Sequence, residues 1–272
     1  MVQGIMELLF DAAYLIFAFV VGVYLIVKGN GKYFKLFGVM AVVLSSGDAF
    51  HLVPRVYSLL TTGLEANAFA LGLGKLITSV TMTAFYVILY FILESVWRPE
   101  GKVRLANRIA VFALALARIA LCAPPQNDWF SGEGSLLWGI LRNIPFAILG
   151  IQIIVICFLA ARKLDDKSYV FMGVMVILSF AFYIPVVLFA SAVPMIGMLM
   201  IPKTLAYVGV VAVGLYKFRK EKKSLSVQAD ALPAEPAPSC ECPDASCGQG
   251  SSDEEQSAAP STAEEESASD GE

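Results

Sequence analysis

A polytopic all-α membrane protein is the fold class this sequence predicts: a bundle of seven transmembrane helices, N-terminus out and C-terminus in, with a disordered acidic tail. Three observations predict it. Hydrophobic residues make up 57% of the 272-residue chain and the mean hydropathy is +0.70, well above the apolar share of a soluble domain. Those residues are gathered into seven runs, most of them near or above the roughly 20 residues needed to cross a hydrocarbon core of about 30 Å. Basic residues are largely confined to alternate connections between the runs.

The first run, at about 5–27, follows Met1-Val2-Gln3-Gly4-Ile5-Met6-Glu7, which lacks a basic n-region, and no small-residue cleavage site follows it. It reads as a retained helix. The second, at about 36–54, is expected to end at Pro54, which has no amide hydrogen to offer the carbonyl of Phe50. The third, fifth and sixth are long, at about 68–93, 135–160 and 168–192; the fourth is short, at about 109–123, and the seventh covers about 198–217.

Lys28, Lys32 and Lys35 fill the first connection, Arg98, Lys102, Arg104 and Arg108 the third, and Arg162, Lys163 and Lys167 the fifth. Lys217, Arg219, Lys220, Lys222 and Lys223 follow the seventh run, whereas the second connection has only Arg55 and the fourth and sixth have no base. Because cytoplasmic loops carry the excess of Lys and Arg, this alternation predicts a multi-pass protein of the cell membrane with its C-terminus in the cytoplasm.

Residues 1–223 form the predicted bundle and hold all 20 Lys and Arg against 11 acids; residues 224–272 hold 12 acids and no base. The basic body is no sign of nucleic-acid binding, since its charges flank apolar runs and orient them. The tail, rich in Ser, Ala, Pro and Glu, has too little apolar content to offset the entropy of ordering. It is expected to be disordered, with a partner that the sequence does not identify. Cys240, Cys242 and Cys247 lie in it as C-x-C-x4-C, without a histidine or fourth thiol, and read as reduced cysteines rather than a metal site. Cys122 and Cys157 fall in apolar runs, and His51 is the only histidine, so neither a disulfide framework, a His-rich zinc site nor a cofactor motif is predicted.

Charge inside the membrane is costly and ordinarily faces a partner, a cavity or water. Asp48 falls roughly 18 Å along the second helix, somewhat beyond the midplane. At 100° per residue Ser45, Asp48, His51, Leu52 and Arg55 share one face. On the predicted topology Glu7 and Asp11 lie in the outer part of helix 1, Lys75 at the outer start of helix 3 and Arg118 towards the outer end of helix 4. Arg142 and Asn143 open helix 5, and Lys203 sits in the outer turns of helix 7. All these charges fall in the outer half, which predicts a shared polar cavity there.

Three acids against five bases leave an excess that an anion would balance. Arg118, Arg142 and Lys203 are the expected anion ligands, with Asp48 and His51 neutralising part of the cluster. Tyr14, Tyr86, Tyr183, Pro185 and Tyr207 are candidate lining residues, and Trp129 and Phe130 in the outer loop 124–130 suit an interfacial anchor or a lid, the anchor being the favoured reading. The competing reading of the charges is internal pairing, or snorkelling to the interface.

Gly47-Asp48-Ala49-Phe50-His51-Leu52-Val53-Pro54-Arg55 resembles a signature of bacterial seven-helix membrane proteins, which implies an architecture and no activity. Val42-Val43-Leu44-Ser45-Ser46-Gly47-Asp48 also resembles the Ser-x-x-Gly-Asp element of the lysoplasmalogenase-like family, with a second similarity running from Gly173 through Ser179 to Lys203-Thr204-Leu205-Ala206-Tyr207. That resemblance implies vinyl-ether hydrolysis by paired aspartates, here Asp48 as general acid or base with His51 or Asp11 as its partner. Phe180 follows Ser179 where the family has its second aspartate. The leading expectation is a lipid-embedded protein that binds an anionic amphiphile or small molecule. A divergent lipid hydrolase comes second, and a transporter, for which no internal repeat is visible, third.

Overall fold

The computed structural model describes residues 2–61, 63, 65–130, 135–189 and 193–230. Among the described residues seven α-helices follow one another without a strand: α1 (Val2–Lys28), α2 (Gly31–Leu60), α3 (Ala68–Trp97), α4 (Gly101–Cys122), α5 (Leu136–Leu164), α6 (Lys167–Phe189) and α7 (Met200–Asp230). Each contains a stretch long and apolar enough to cross a membrane. Residues 231–272, with Cys240, Cys242 and Cys247, lie outside the described residues.

Several helices outrun their apolar stretches. α2 begins at Gly31 and passes Pro54 to reach Leu60, α4 begins at Gly101, and α7 continues seven residues into the segment read as tail. Apolar runs measure the part of a helix in hydrocarbon, whereas the helical hydrogen-bond ladder continues beyond it wherever water or side chains serve the ends. The expected stop at Pro54 is corrected for a more specific reason. The carbonyl of Phe50 that Pro54 leaves without a donor faces α3 at Gly74, where a Cβ would collide with Phe50 O and lie 2.8 Å from His51 Cα. Only glycine lets α3 approach that closely, and its Cα–H groups are the ones available to the freed oxygen. On the far side of the proline, Ser58 Oγ donates to Pro54 O at 2.7 Å.

The two ends of the bundle are built differently. At the carboxy-terminal end, where α7 leaves, the turnarounds 29–30, 98–100 and 165–166 are two or three residues long. Arg98 and Asp165 adopt left-handed conformations there (φ 47° and 50°), and the Arg98 amide donates to Glu94 O at 2.9 Å to close α3. At the amino-terminal end the connections are longer and carry 3-10 turns at Glu65–Asn67, Pro125–Asn127 and Pro194–Leu199.

α1 packs on α2 and α7, α2 on α3, α3 on α4 and α5, and α6 between α5 and α7. Lipid tails are as apolar as leucine, so close packing rather than expulsion from water holds such helices together. α3 is among the most enclosed: Met82, Phe85, Tyr86, Leu89, Tyr90, Ile92 and Leu93 are all buried. Edge-to-face rings join it to its neighbours, Tyr86 to Phe146 of α5 at 4.9 Å and Phe85 to Tyr207 of α7 at 5.4 Å. α4 lies at the periphery. Its buried residues Val111, Ala115, Arg118 and Cys122 recur at helical spacing and form one stripe, while Phe112 and Leu116 face outward.

Charges at the carboxy-terminal end are paired. Arg108 binds the Glu94 carboxylate through both Nε and Nη2, with Arg104 Nε 3.6 Å away. Lys217 of α7 pairs with Asp166 in the α5–α6 turn and lies 4.3 Å over the Tyr169 ring. Burial alone would raise the Asp166 carboxyl, but hydrogen bonds from Lys217 and Ser168 outweigh it and hold it at about 2.

Candidate functional site: a cationic cavity between six helices

Charged side chains from the ends of several helices meet at the amino-terminal end of the bundle, around a cavity of about 270 Å³. α3 brings Lys75, Thr78, Ser79 and Met82; α5 brings Gly139, Arg142, Asn143 and Phe146. Arg118 of α4, Tyr183 and Val187 of α6, and Lys203 of α7 complete the wall, with His51 entering from α2. Seven sequence-predicted site residues therefore line one space: His51, Lys75, Arg118, Arg142, Asn143, Tyr183 and Lys203.

Arg118 is the innermost cation. It stands in the buried stripe of α4, is only 3% exposed, and holds its guanidinium carbon 3.4 Å from the Phe146 ring centroid. Its Nε and Nη1 are buried and have no hydrogen-bond partner. The ring attraction supplies about 2 kcal/mol in a desolvated setting, short of the several kcal/mol that burying an ion costs.

The other cations are held by dipoles and rings rather than by carboxylates. Arg142 Nη1 donates to Asn127 Oδ1 at 2.8 Å and its guanidinium carbon lies 4.1 Å over Trp129. Lys203 Nζ sits 4.4 Å from the Tyr183 ring and 5.7 Å from that of Tyr207. Like charges also oppose one another: Lys75 feels Arg142 and Arg55, and Lys203 feels Arg118, with Asp48 the compensating acid for Lys203. Among the described residues the carboxylate in the lining is that of Asp128, exposed in the α4–α5 connection and engaged in an interaction of its own.

Four predicted residues lie outside the lining. Asp48 accepts a 2.7 Å hydrogen bond from Tyr14 of α1. Ser45 bonds back to the carbonyls of Ala41 and Val42 at 3.0 and 3.2 Å, and Asp11 is buried in α1 with an interaction of its own. Tyr207 is buried against Phe85, with the Tyr86 and Ser179 hydroxyls near its own but short of hydrogen-bond geometry. The side chain of Glu7 lies outside the described residues.

Asn127 and Trp129 were not among the predicted ligand residues, yet they shape the wall. Asn127, 1% exposed, donates to Leu121 O and Pro124 O at 2.9 and 3.0 Å and spends its carbonyl oxygen on Arg142. Trp129 donates its indole N–H to Cys122 O at 3.1 Å, and Gly72 makes room for its backbone against α3. The Trp129 ring thus lies against Arg142 and lines the cavity, a placement that hydropathy alone does not give. A polar residue in a short loop looks like any turn, so nothing in the sequence singled out Asn127.

Fold and site together define a class: a seven-helix membrane protein with a cationic cavity near one end of its bundle. Comparison with protein-family models, with curated proteins and with solved structures returned no match. Among the described residues no group of three or more His, Cys, Asp or Glu is placed to hold a metal ion.

Proposed function

We propose that this protein binds an anionic amphiphile or small molecule in the cavity, with the amino-terminal end of the bundle outside the cytoplasm and the acidic tail within it. The observation that carries this reading is Arg118, a buried guanidinium with two N–H-bearing nitrogens unsatisfied and its ring contact insufficient to offset its desolvation. Lys75, Arg142 and Lys203 line the same space, so the field there favours a negative group. A phosphate or carboxylate would accept hydrogen bonds from Arg118, Arg142 and Lys203 together, each strengthened by charge. Asn143 and Thr78 add polar edges for orientation. The orientation rests on the alternation of basic connections, whose short turnarounds lie at the end opposite the cavity.

Acid catalysis by Asp48 finds less support, because its carboxylate is engaged by Tyr14 and stands outside the cavity lining.

The test is thermal unfolding of the purified protein with dodecyl phosphate, against a neutral amphiphile of the same chain. Dodecyl phosphate is expected to raise the Tm, the neutral compound is not, and Arg118→Gln is expected to remove the difference. Equal shifts from both amphiphiles in the unaltered protein would overturn the proposal.

A further inference from the structure

Asn143 and Tyr183 belong to two cavities at once. Besides lining the cationic cavity, they line a second, apolar hollow of about 170 Å³ between α5 and α6, as does Val187. The remaining wall of that hollow is hydrocarbon: Ile140, Ile144 and Ala147 on α5, Phe180, Ile184 and Leu188 on α6. Ile144, Ile184 and Leu188 are exposed on the outer surface of the bundle, so the hollow is a groove that faces lipid. Two of the residues common to both spaces are joined by a hydrogen bond, the Tyr183 hydroxyl donating to Asn143 Oδ1 at 2.9 Å.

We propose that the ligand is a lipid carrying one hydrocarbon chain on its anionic head, and that it reaches the cavity sideways from the bilayer between α5 and α6. The head lies against Arg118 and Arg142, the chain lies in the α5–α6 groove, and the Tyr183–Asn143 contact is the threshold between them. This inference rests on the reading of the cavity as an anion site.

Three features favour this route. The groove is continuous with the cavity through residues common to both, and it runs from Asn143 and Tyr183 to Ala147 and Phe180, one helical turn deeper on each helix. A chain attached to a head in the cavity thereby points towards the bilayer interior. The threshold is one neutral hydrogen bond worth about 1 kcal/mol, which a passing headgroup can replace with its own. The other hollow that adjoins the cavity, between α3 and α4, is bounded by Pro124, Pro125 and the Asp128 carboxylate, so it ends in the connecting loop and presents a like charge to an anion. Burying a chain already dissolved in lipid gains little hydrophobic energy; its effect is to raise the local concentration of the head at the cations.

The experiment measures binding of 1-oleoyl lysophosphatidate and of glycerol 3-phosphate to the protein in phosphatidylcholine nanodiscs. Three variants accompany the unaltered chain: Ala147→Trp, which fills the α5–α6 groove; Val80→Trp, which fills the α3–α4 hollow; and Arg118→Gln. The lysolipid is expected to bind at least about tenfold more tightly than the headgroup alone, and Ala147→Trp is expected to erase that advantage while leaving glycerol 3-phosphate binding unchanged. Val80→Trp is expected to change neither. Should Ala147→Trp fail to fold, Leu188→Trp obstructs the same groove from an exposed position on α6. If both ligands bind and Ala147→Trp or Leu188→Trp leaves the lysolipid advantage intact, or if Val80→Trp alone removes it, the α5–α6 route is overturned and the anion site stands. If neither ligand binds, or Arg118→Gln binds both as well as the unaltered protein, the anion site falls, and this inference with it.

Discussion

The two ends of the bundle treat charge in opposite ways. At the carboxy-terminal end Glu94, 7% exposed, receives a two-pronged grip from Arg108, and Asp166 receives Lys217. At the amino-terminal end Arg118, more deeply buried than either acid, has an aromatic face where a carboxylate would stand, and its charge opposes that of Lys203. Burial alone does not distinguish the ends, since both hide ions. Pairing does: opposite charges brought together close a structure, whereas like charges gathered around a void store an unfavourable energy that a counter-charge can relieve.

Arg118→Met is the sharpest way to break that comparison. Removing an uncompensated buried cation is expected to raise ligand-free stability by about 1–2 kcal/mol, net of the lost Phe146 attraction, and to abolish the response to anionic amphiphiles. Denaturant or thermal unfolding reads the first effect and ligand titration the second; a markedly destabilised Arg118→Met protein would show that the guanidinium is satisfied after all.

A smaller effect is expected from paired substitutions. A double-mutant cycle between Glu94 and Arg108 is expected to give a favourable coupling, and one between Arg118 and Lys203 an unfavourable one, both measured as shifts in Tm. Coupling of the same sign at both ends would remove the contrast.

The smallest effect concerns pH. Because the Asp166 carboxyl is held at about 2, below its ordinary value of 3.8, its stabilising contribution is complete above about pH 4 and is lost as the pH falls towards 2. The Tm difference between the unaltered protein and Asp166→Asn is expected to be flat from neutral pH to about pH 4 and to shrink below it.

The helix count was legible because each crossing requires a stretch that is apolar over most of its length, and seven such stretches stand out. The helix ends were not, because Gly31, Gly101 and residues 224–230 lie outside those stretches, where hydropathy carries no signal of helicity. Arg118, Arg142 and Lys203 were conspicuous as charges in apolar surroundings, and their meeting followed from one shared depth. Which acids join them did not follow. Depth gives the level of a residue along the bundle but not the neighbour its helix turns it towards, and Asp48 is turned to Tyr14 of α1. The sequence count of three acids against five bases thus understated the cationic character of the cavity, whose lining, among the described residues, holds Lys75, Arg118, Arg142 and Lys203 with Asp128 opposing them. Glu94 escaped notice because it closes an apolar run, where an acid looks like an ordinary helix terminus, and its burial comes from the short turn that folds α4 back over it.

The indole of Trp129 has an optical consequence. Its ring lies 4.1 Å beneath the Arg142 guanidinium, and indole emission responds to a nearby charge and to the polarity around the ring. A ligand that draws Arg142 away would change the colour and yield of that emission. The chain has three tryptophans, so replacing Trp97 and Trp138 with phenylalanine leaves a single indole, in the cavity wall, able to report occupancy in a bilayer without any added label.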